Sequence, residues 1–133
     1  MKIGIPITAL FLLLGSNVVS LAMGPITNPD EALAVASVQG YMSALIAGDM
    51  AQVRTYLAPK LLAERKSLLD NPTYPQRLQE AYGDASYEVV GYELLDFDKV
   101  QVDVKIQLNP QDAIHSRFIL VRMGNAYRII AEQ

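Results

Sequence analysis

Residues 118–133, FILVRMGNAYRIIAEQ, decide the fold, because they contain two apolar segments joined by a two-residue turn signal. Gly124-Asn125 is typical of a tight β-hairpin, and it predicts that Met123 lies opposite Ala126. The same register places Arg117 opposite Glu132 as a cross-strand ion pair.

Side chains alternate between the two faces of a strand. One face therefore carries Phe118, Leu120, Ile129 and Ala131, and the other carries Ile119, Val121 and Ile130. Both faces are apolar, so we expect each to be covered.

The hairpin is preceded by further strand patterns. Residues 100–108 alternate strictly between apolar and polar side chains, which indicates a strand with one wet face. We interpret the whole chain from Ser86 onward as an antiparallel sheet of about four strands. Asp96-Phe97-Asp98 predicts a hairpin turn. A hard-cation site is the weaker interpretation, because the segment lacks the glycine and the distal glutamate of a calcium loop.

Helices fill the region before the sheet. Asn28-Pro29 predicts a capped helix start, and the next stretch, residues 32–47, contains no charged side chain. Gly48-Asp49 predicts a tight corner into a short second helix. An amphipathic helix follows, in which four leucines at positions 61, 62, 68 and 69 face inward, and Lys60, Glu64, Arg65 and Lys66 face water. A last helix is predicted from Pro75 to Tyr82.

The order of these elements, the helical corner AGDMAQVRTYL at residues 47–57 and the terminal hairpin with Tyr127 and Arg128-Ile129 resemble the nuclear transport factor 2-like (NTF2-like) superfamily. The resemblance implies an α+β fold in which N-terminal helices pack on the concave face of a curved antiparallel sheet, with a pocket at the mouth of the cone. It also implies that two copies pair through the outer face of the sheet.

The first 22 residues resemble a signal peptide. Lys2 precedes an apolar segment, and Ser20-Leu21-Ala22 forms a small-x-small cleavage site. The expected organisation is therefore a signal peptide at 1–22 and a single NTF2-like domain at 23–133. We expect a bacterial periplasmic or secreted protein that meets the membrane only during export. A retained membrane anchor is the alternative, although glycine, proline and polar residues shorten the apolar core.

The amino-acid composition limits the classes of ligand, metal and partner that we expect this protein to bind. The chain has no cysteine and one histidine, so we expect neither a disulfide nor a transition-metal site. A formal net charge of −3 argues against nucleic acid as a partner. The sequence contains no nucleophile elbow, phosphate loop or dinucleotide fingerprint, and we expect no cofactor.

Few residues are candidates for chemistry. Asp112 and His115 form a conceivable acid–base pair, because enzymes of the isomerase and cyclase branches of the superfamily use Asp, His and Tyr in the cone. Their spacing of three, however, puts them on opposite faces of a strand. Aromatic residues suit an amphipathic pocket lining, although each is equally suited to the core. The candidate ligand-binding residues are Tyr41, Tyr56, Phe118 and Tyr127.

These observations favour an exported, non-catalytic binding domain for a small apolar ligand or a protein partner. The alternative is an isomerase- or cyclase-type enzyme with an Asp/His/Tyr acid–base set. A purely structural role through the sheet surface is a third hypothesis. The exposed apolar side chains Ile119, Val121 and Ile130 predict a homodimer.

Overall fold

The computed structural model describes residues 28–133. Within this range, five helices precede four strands. The helices are α1 (Pro29–Ala47), α2 (Met50–Thr55), α3 (Pro59–Glu64), α4 (Lys66–Leu69) and α5 (Tyr74–Tyr82). The strands are β1 (Ser86–Asp96), β2 (Lys99–Gln107), β3 (Ala113–Met123) and β4 (Ala126–Glu132). The predicted signal peptide lies outside the described residues. No helix between residues 28 and 133 combines the length and apolar character needed to cross a membrane.

The local signals for α1 and its corner are confirmed. The Asn28 side chain accepts hydrogen bonds from the amides of Asp30 and Glu31, at 2.8 and 3.5 Å. Gly48 ends the helix at φ 72°, a left-handed conformation that glycine adopts without steric cost. Asp49 then caps α2 by accepting from the Gln52 amide at 3.2 Å. These capping bonds satisfy backbone groups that a helix end leaves without partners.

The four strands form an antiparallel sheet in sequence order, β1-β2-β3-β4, that does not close into a barrel. One face packs against α1 and forms the core. On that face Phe118, Leu120 and Ile129 are completely buried, and the Tyr41 ring of α1 meets the Phe118 ring edge-on at a centroid distance of 5.6 Å. The predicted α+β architecture, with helices on one face of a four-stranded sheet, is confirmed.

The terminal hairpin departs from the predicted register. Met123 lies opposite Ala126 as expected, but the pairing shifts by one residue between Ile119 and Leu120. Leu120 pairs with Ile129 and Ile119 pairs with Ala131, so Ile130 is an extra residue in β4. This β-bulge moves the side chains beyond it to the opposite face.

Two predictions about the hairpin are therefore wrong. Ala131 shares a face with Ile119 rather than with Phe118, and Glu132 lies opposite Phe118 on the helix-covered face. The expected ion pair between Arg117 and Glu132 does not form. Arg117 instead binds Asp103 of β2 at 3.1 Å.

The amphipathic helix predicted over residues 60–69 is interrupted. It divides into α3 and α4 at Arg65, whose backbone adopts φ −98° and ψ 5°, in the sparsely populated bridge region. Leu68, which was predicted to face inward, is 40% exposed. The prediction that Arg65 faces water is also wrong. The Arg65 side chain is 26% exposed and points toward the sheet, where it meets Glu132.

Candidate functional site

A polar cluster lies where α1, the α3–α4 junction and the end of β4 meet. The Tyr41 hydroxyl accepts a hydrogen bond from Arg65 Nη1 at 3.1 Å and donates to Glu132 Oε1 at 3.5 Å. Arg65 Nη2 lies 3.4 Å from the same carboxylate oxygen. Ser116 Oγ of β3 approaches the other oxygen at 3.5 Å. We call Tyr41, Arg65, Ser116 and Glu132 the inner polar cluster.

Three of the four members, Tyr41, Arg65 and Glu132, reach the cluster through specific backbone features. The regular α1 helix holds Tyr41 against Phe118 at 5.6 Å. The interruption at Arg65 ends α3 and begins α4 beside the sheet. The extra residue Ile130 rotates Glu132 onto the inner face. Three irregular or long-range features therefore bring together side chains that are far apart in the sequence.

The electrostatics of the cluster follow from its partial burial. Burial raises the pKa of Tyr41 well above its ordinary value; the Glu132 carboxylate adds to this effect, and Arg65 offsets part of it. Burial lowers the pKa of Arg65, but Tyr41 and Glu132 outweigh it, so this pKa is raised overall. Tyr41 is therefore a neutral hydroxyl and Arg65 a cation at any physiological pH.

The cluster combines one neutral hydroxyl, one cation and one carboxylate at the edge of an apolar core. Most of its contacts are long, between 3.4 and 3.5 Å, and the Arg65 and Glu132 side chains are each 26% exposed. Arg65 meets the carboxylate through one nitrogen instead of the bidentate geometry that gives the strongest pairs. The guanidinium can thus bind a hydrogen-bond acceptor of a ligand without first breaking a strong ion pair.

The four aromatic residues predicted from the sequence occupy different environments. Phe118 and Tyr127 are buried in the core, and Arg122 lies over the Tyr127 ring at 5.9 Å. Tyr56 is partly buried beside Gly40 of α1. Tyr41 alone of the four is a member of the inner polar cluster, although its ring is only 2% exposed.

Asp112 and His115 also occupy different surroundings. The Asp112 carboxylate accepts a hydrogen bond from Asn109 Nδ2 at 2.9 Å within the β2–β3 turn. His115 pairs with Lys105 across the sheet and is exposed on the outer face. There it lines a groove of about 450 Å³ together with the Asp103–Arg117 ion pair. Neither residue reaches the inner polar cluster.

The predicted turn at Asp96-Phe97-Asp98 is confirmed. Asp96 pairs with Lys99 across the β1–β2 turn, and its carboxylate accepts from the Phe97 amide at 2.7 Å. Within the part of the chain that the structure describes, no group of three histidine, cysteine or acidic side chains could hold a metal ion.

Arg65, Ser116 and Glu132 were missed as site residues. A signal for Arg65 is nonetheless present, because position 65 lies three or four residues from each of the leucines at 61, 62, 68 and 69. That spacing places it on the apolar face of the predicted helix. Glu132 has no comparable signal, since its face depends on the bulge.

The helices on one face of an open antiparallel sheet define this chain as a helix-backed α+β protein. More specifically, it has the NTF2-like fold. It is similar to an NTF2-like protein of unknown function from Shewanella baltica, with a TM-score of 0.57 and 9% identity over 80% of this chain and 94% of that one. A SEC-C motif-containing protein from Rhodopseudomonas palustris superposes with a TM-score of 0.51 and 12% identity, covering 74% of this chain and 75% of that one.

An NTF2-like protein of unknown function from Shewanella oneidensis has a TM-score of 0.49 and 13% identity, covering 74% of this chain and 92% of that one. No family model and no curated protein matches the sequence. At these identities the likeness concerns the fold alone.

Proposed function

We propose that this protein is an exported, non-catalytic binding domain whose ligand is a small, largely apolar molecule with one anionic group. The observation that carries the proposal is the half-buried Arg65, which offers hydrogen-bond donors at the boundary of an apolar core. Small-molecule sites combine an apolar lining with a few polar groups that orient the ligand. Arg65 would bind the anionic group, and the Tyr41 hydroxyl would orient the guanidinium.

The alternative is an isomerase- or cyclase-type enzyme. One observation favours it, namely the Glu132 carboxylate on the inner face of the sheet. A general base, however, must present a free oxygen to the substrate proton within hydrogen-bond distance. Here Oε1 of the carboxylate already has two partners, Arg65 Nη2 at 3.4 Å and the Tyr41 hydroxyl at 3.5 Å. The binding function is therefore the better supported of the two.

The binding proposal is tested with 8-anilinonaphthalene-1-sulfonate, a fluorescent probe that has an apolar ring system and one anionic group. Arg65→Gln should weaken probe binding by about tenfold, which corresponds to the loss of one charge-assisted hydrogen bond. Lys66→Gln is the matched control, because Lys66 is the adjacent residue and its side chain is 74% exposed. Circular dichroism checks that both variants are folded. Equal titration curves for the two variants would contradict the proposal.

Export is a separate part of the proposal, supported by the sequence of the first 22 residues. N-terminal sequencing of the protein recovered from cells should give a start at or near Met23. Recovery of an intact Met1 from the membrane fraction would instead indicate a retained anchor.

A further inference from the structure

Glu132 occupies the hydrogen-bond donors that an anionic ligand of the inner polar cluster would use. Its Oε1 atom lies 3.4 Å from Arg65 Nη2 and 3.5 Å from the Tyr41 hydroxyl oxygen. The guanidinium and the hydroxyl are therefore already directed at a carboxylate, and that carboxylate belongs to the protein itself. A ligand anion that binds Arg65 at Nη2 must compete with Glu132 for this position.

The contact between Arg65 and Glu132 is weak enough for a ligand to replace it. Its length of 3.4 Å exceeds the usual length of a charge-assisted hydrogen bond, which is about 2.7–2.9 Å. Both side chains are 26% exposed, so solvent screens their attraction and reaches both groups. Separating the two charges therefore costs less than separating a fully buried pair.

Ser116 offers a hydrogen-bond donor to Glu132 that does not depend on Arg65. Its Oγ atom lies 3.5 Å from Oε2, whereas Arg65 and Tyr41 contact Oε1. A Glu132 carboxylate that leaves the guanidinium thus has a donor beside it as well as access to water. This second partner lowers the cost of displacing the carboxylate.

The surroundings of the cluster suit the apolar body of an acid. The Tyr41 ring packs on Phe118 of the core, and Tyr74 of α5 is partly buried against the same core. Burial raises the pKa of Tyr74, and Arg65 and Glu132 act on this pKa in opposite directions, so the Tyr74 side chain lies close to the pair. An aromatic side chain at the edge of the core provides apolar surface next to the charged groups.

We propose that the ligand is a monocarboxylic acid with an apolar body and that Glu132 is its internal stand-in; this refinement rests on the binding function proposed above. The ligand carboxylate takes the place of the Glu132 carboxylate between Arg65 Nη2 and the Tyr41 hydroxyl. A carboxylate fits better than a phosphate monoester, because the cluster has one cation and a phosphate monoester carries about two negative charges. Glu132 also sets specificity, since it is tethered beside Arg65 at a high effective concentration and excludes weakly binding anions.

Titration with cis-parinaric acid, a fluorescent monocarboxylic acid with an apolar chain, tests this assignment, and its methyl ester serves as the uncharged probe. Glu132→Gln should tighten binding of the acid by about three- to tenfold, because the competing charge is removed. Binding of the ester should not change. Glu64→Gln is the matched control, because it removes the same charge from an exposed residue adjacent to Arg65. Unchanged or weaker binding of the acid to Glu132→Gln, or equal tightening of acid and ester, would overturn the stand-in role.

Glu132→Asp separates displacement from charge repulsion. Aspartate keeps the negative charge but is shorter by one C–C bond, about 1.5 Å, so its carboxylate is withdrawn from Arg65 Nη2. Displacement predicts that the acid binds this variant at least about threefold more tightly than the wild type. Wild-type affinity for the acid would show repulsion alone and would contradict the stand-in role. Urea unfolding checks that each variant is folded.

Arg65→Gln distinguishes a failure at Glu132 from a failure of the binding function. If Arg65→Gln weakens binding of 8-anilinonaphthalene-1-sulfonate while the Glu132 variants bind cis-parinaric acid as the wild type does, the binding function stands and the stand-in role is wrong. If Arg65→Gln leaves the affinity for both probes unchanged, the binding function is wrong and the stand-in role with it.

Discussion

Tyr41 joins the core of this protein to its polar cluster. Its ring packs edge-on against Phe118, and its hydroxyl contacts both Arg65 and Glu132. Burying a hydroxyl without hydrogen-bond partners costs free energy, so these contacts offset the desolvation of the Tyr41 hydroxyl oxygen. The same contacts hold Arg65 and Glu132 near each other, because the guanidinium and the carboxylate share one hydroxyl.

The raised pKa of Tyr41 predicts a stability change at alkaline pH. In the unfolded chain tyrosine ionises near its ordinary value of 10.0, whereas the folded state holds the proton to higher pH. The contribution to stability is therefore fully present below pH 10 and is lost as the pH rises above it. Between pH 10 and 11 the free energy of unfolding should fall less steeply in Tyr41→Phe than in the wild type, by up to about 1.4 kcal/mol per pH unit. Urea titrations at several pH values measure both slopes, and equal slopes would contradict the prediction.

At the scale of elements, small residues on α1 allow another element to approach closely. The sequence pattern Ser37, Gly40 and Ser43 indicates such a strip. The close neighbour of Gly40 is the side chain of Tyr56, at the end of α2, whose hydroxyl oxygen lies only 2.2 Å from the position that a Cβ atom would occupy. Ser43 Oγ is engaged separately, with the Tyr87 hydroxyl of β1 at 2.8 Å.

A double-mutant cycle tests the Gly40–Tyr56 contact. Gly40→Ala alone should destabilise the protein by about 1–3 kcal/mol, because the added methyl group collides with the Tyr56 ring. In the Tyr56→Ala background, Gly40→Ala should stabilise the protein by up to about 1 kcal/mol, since alanine is a better helix former than glycine. Thermal or urea unfolding gives the four free energies. The same sign of effect in both backgrounds would show that Tyr56 does not occupy this space.

At the scale of the whole molecule, the helices among residues 28–133 cover one face of the sheet and leave the other open. The outer face carries Ile119, Val121 and Ile130, which are each partly exposed, bordered by the Asp103–Arg117 ion pair. An apolar centre with a charged rim is typical of a protein interface. We therefore propose that two copies associate through this face, in a symmetric contact.

Val121→Asp should shift this dimer to monomer without unfolding it, because it places a charge at the centre of the contact. Leu33→Asp is the control, since Leu33 is exposed on α1, away from the outer face of the sheet. Analytical ultracentrifugation at tens of micromolar, roughly the concentration at which a weak interface assembles, measures the association state. A wild type that is already monomeric under these conditions would contradict the proposal.

The amino-acid sequence alone determined the features that depend on neighbouring residues. The cap at Asn28, the left-handed Gly48, the β-hairpin at Gly124-Asn125 and the turn at Phe97 follow from side chains and backbone preferences within a few positions. The alternation of residues 100–108 likewise predicts which side chains of β2 enter the core. Because such local preferences agree with the fold, these features can be predicted from the sequence without the tertiary structure.

Tertiary structure decided the features that depend on distant residues. The extra residue Ile130 turns Glu132 inward, and nothing adjacent in the sequence requires the bulge. Arg65 reaches Tyr41 and Glu132 across separations of 24 and 67 positions, so the solvent exposure of its side chain depends on the packed sheet. Of the aromatic residues predicted to bind a ligand, Tyr41 is the one that contacts this pair. The inner polar cluster forms only when helices and sheet are packed together, because each of its contacts joins residues that are remote in the chain.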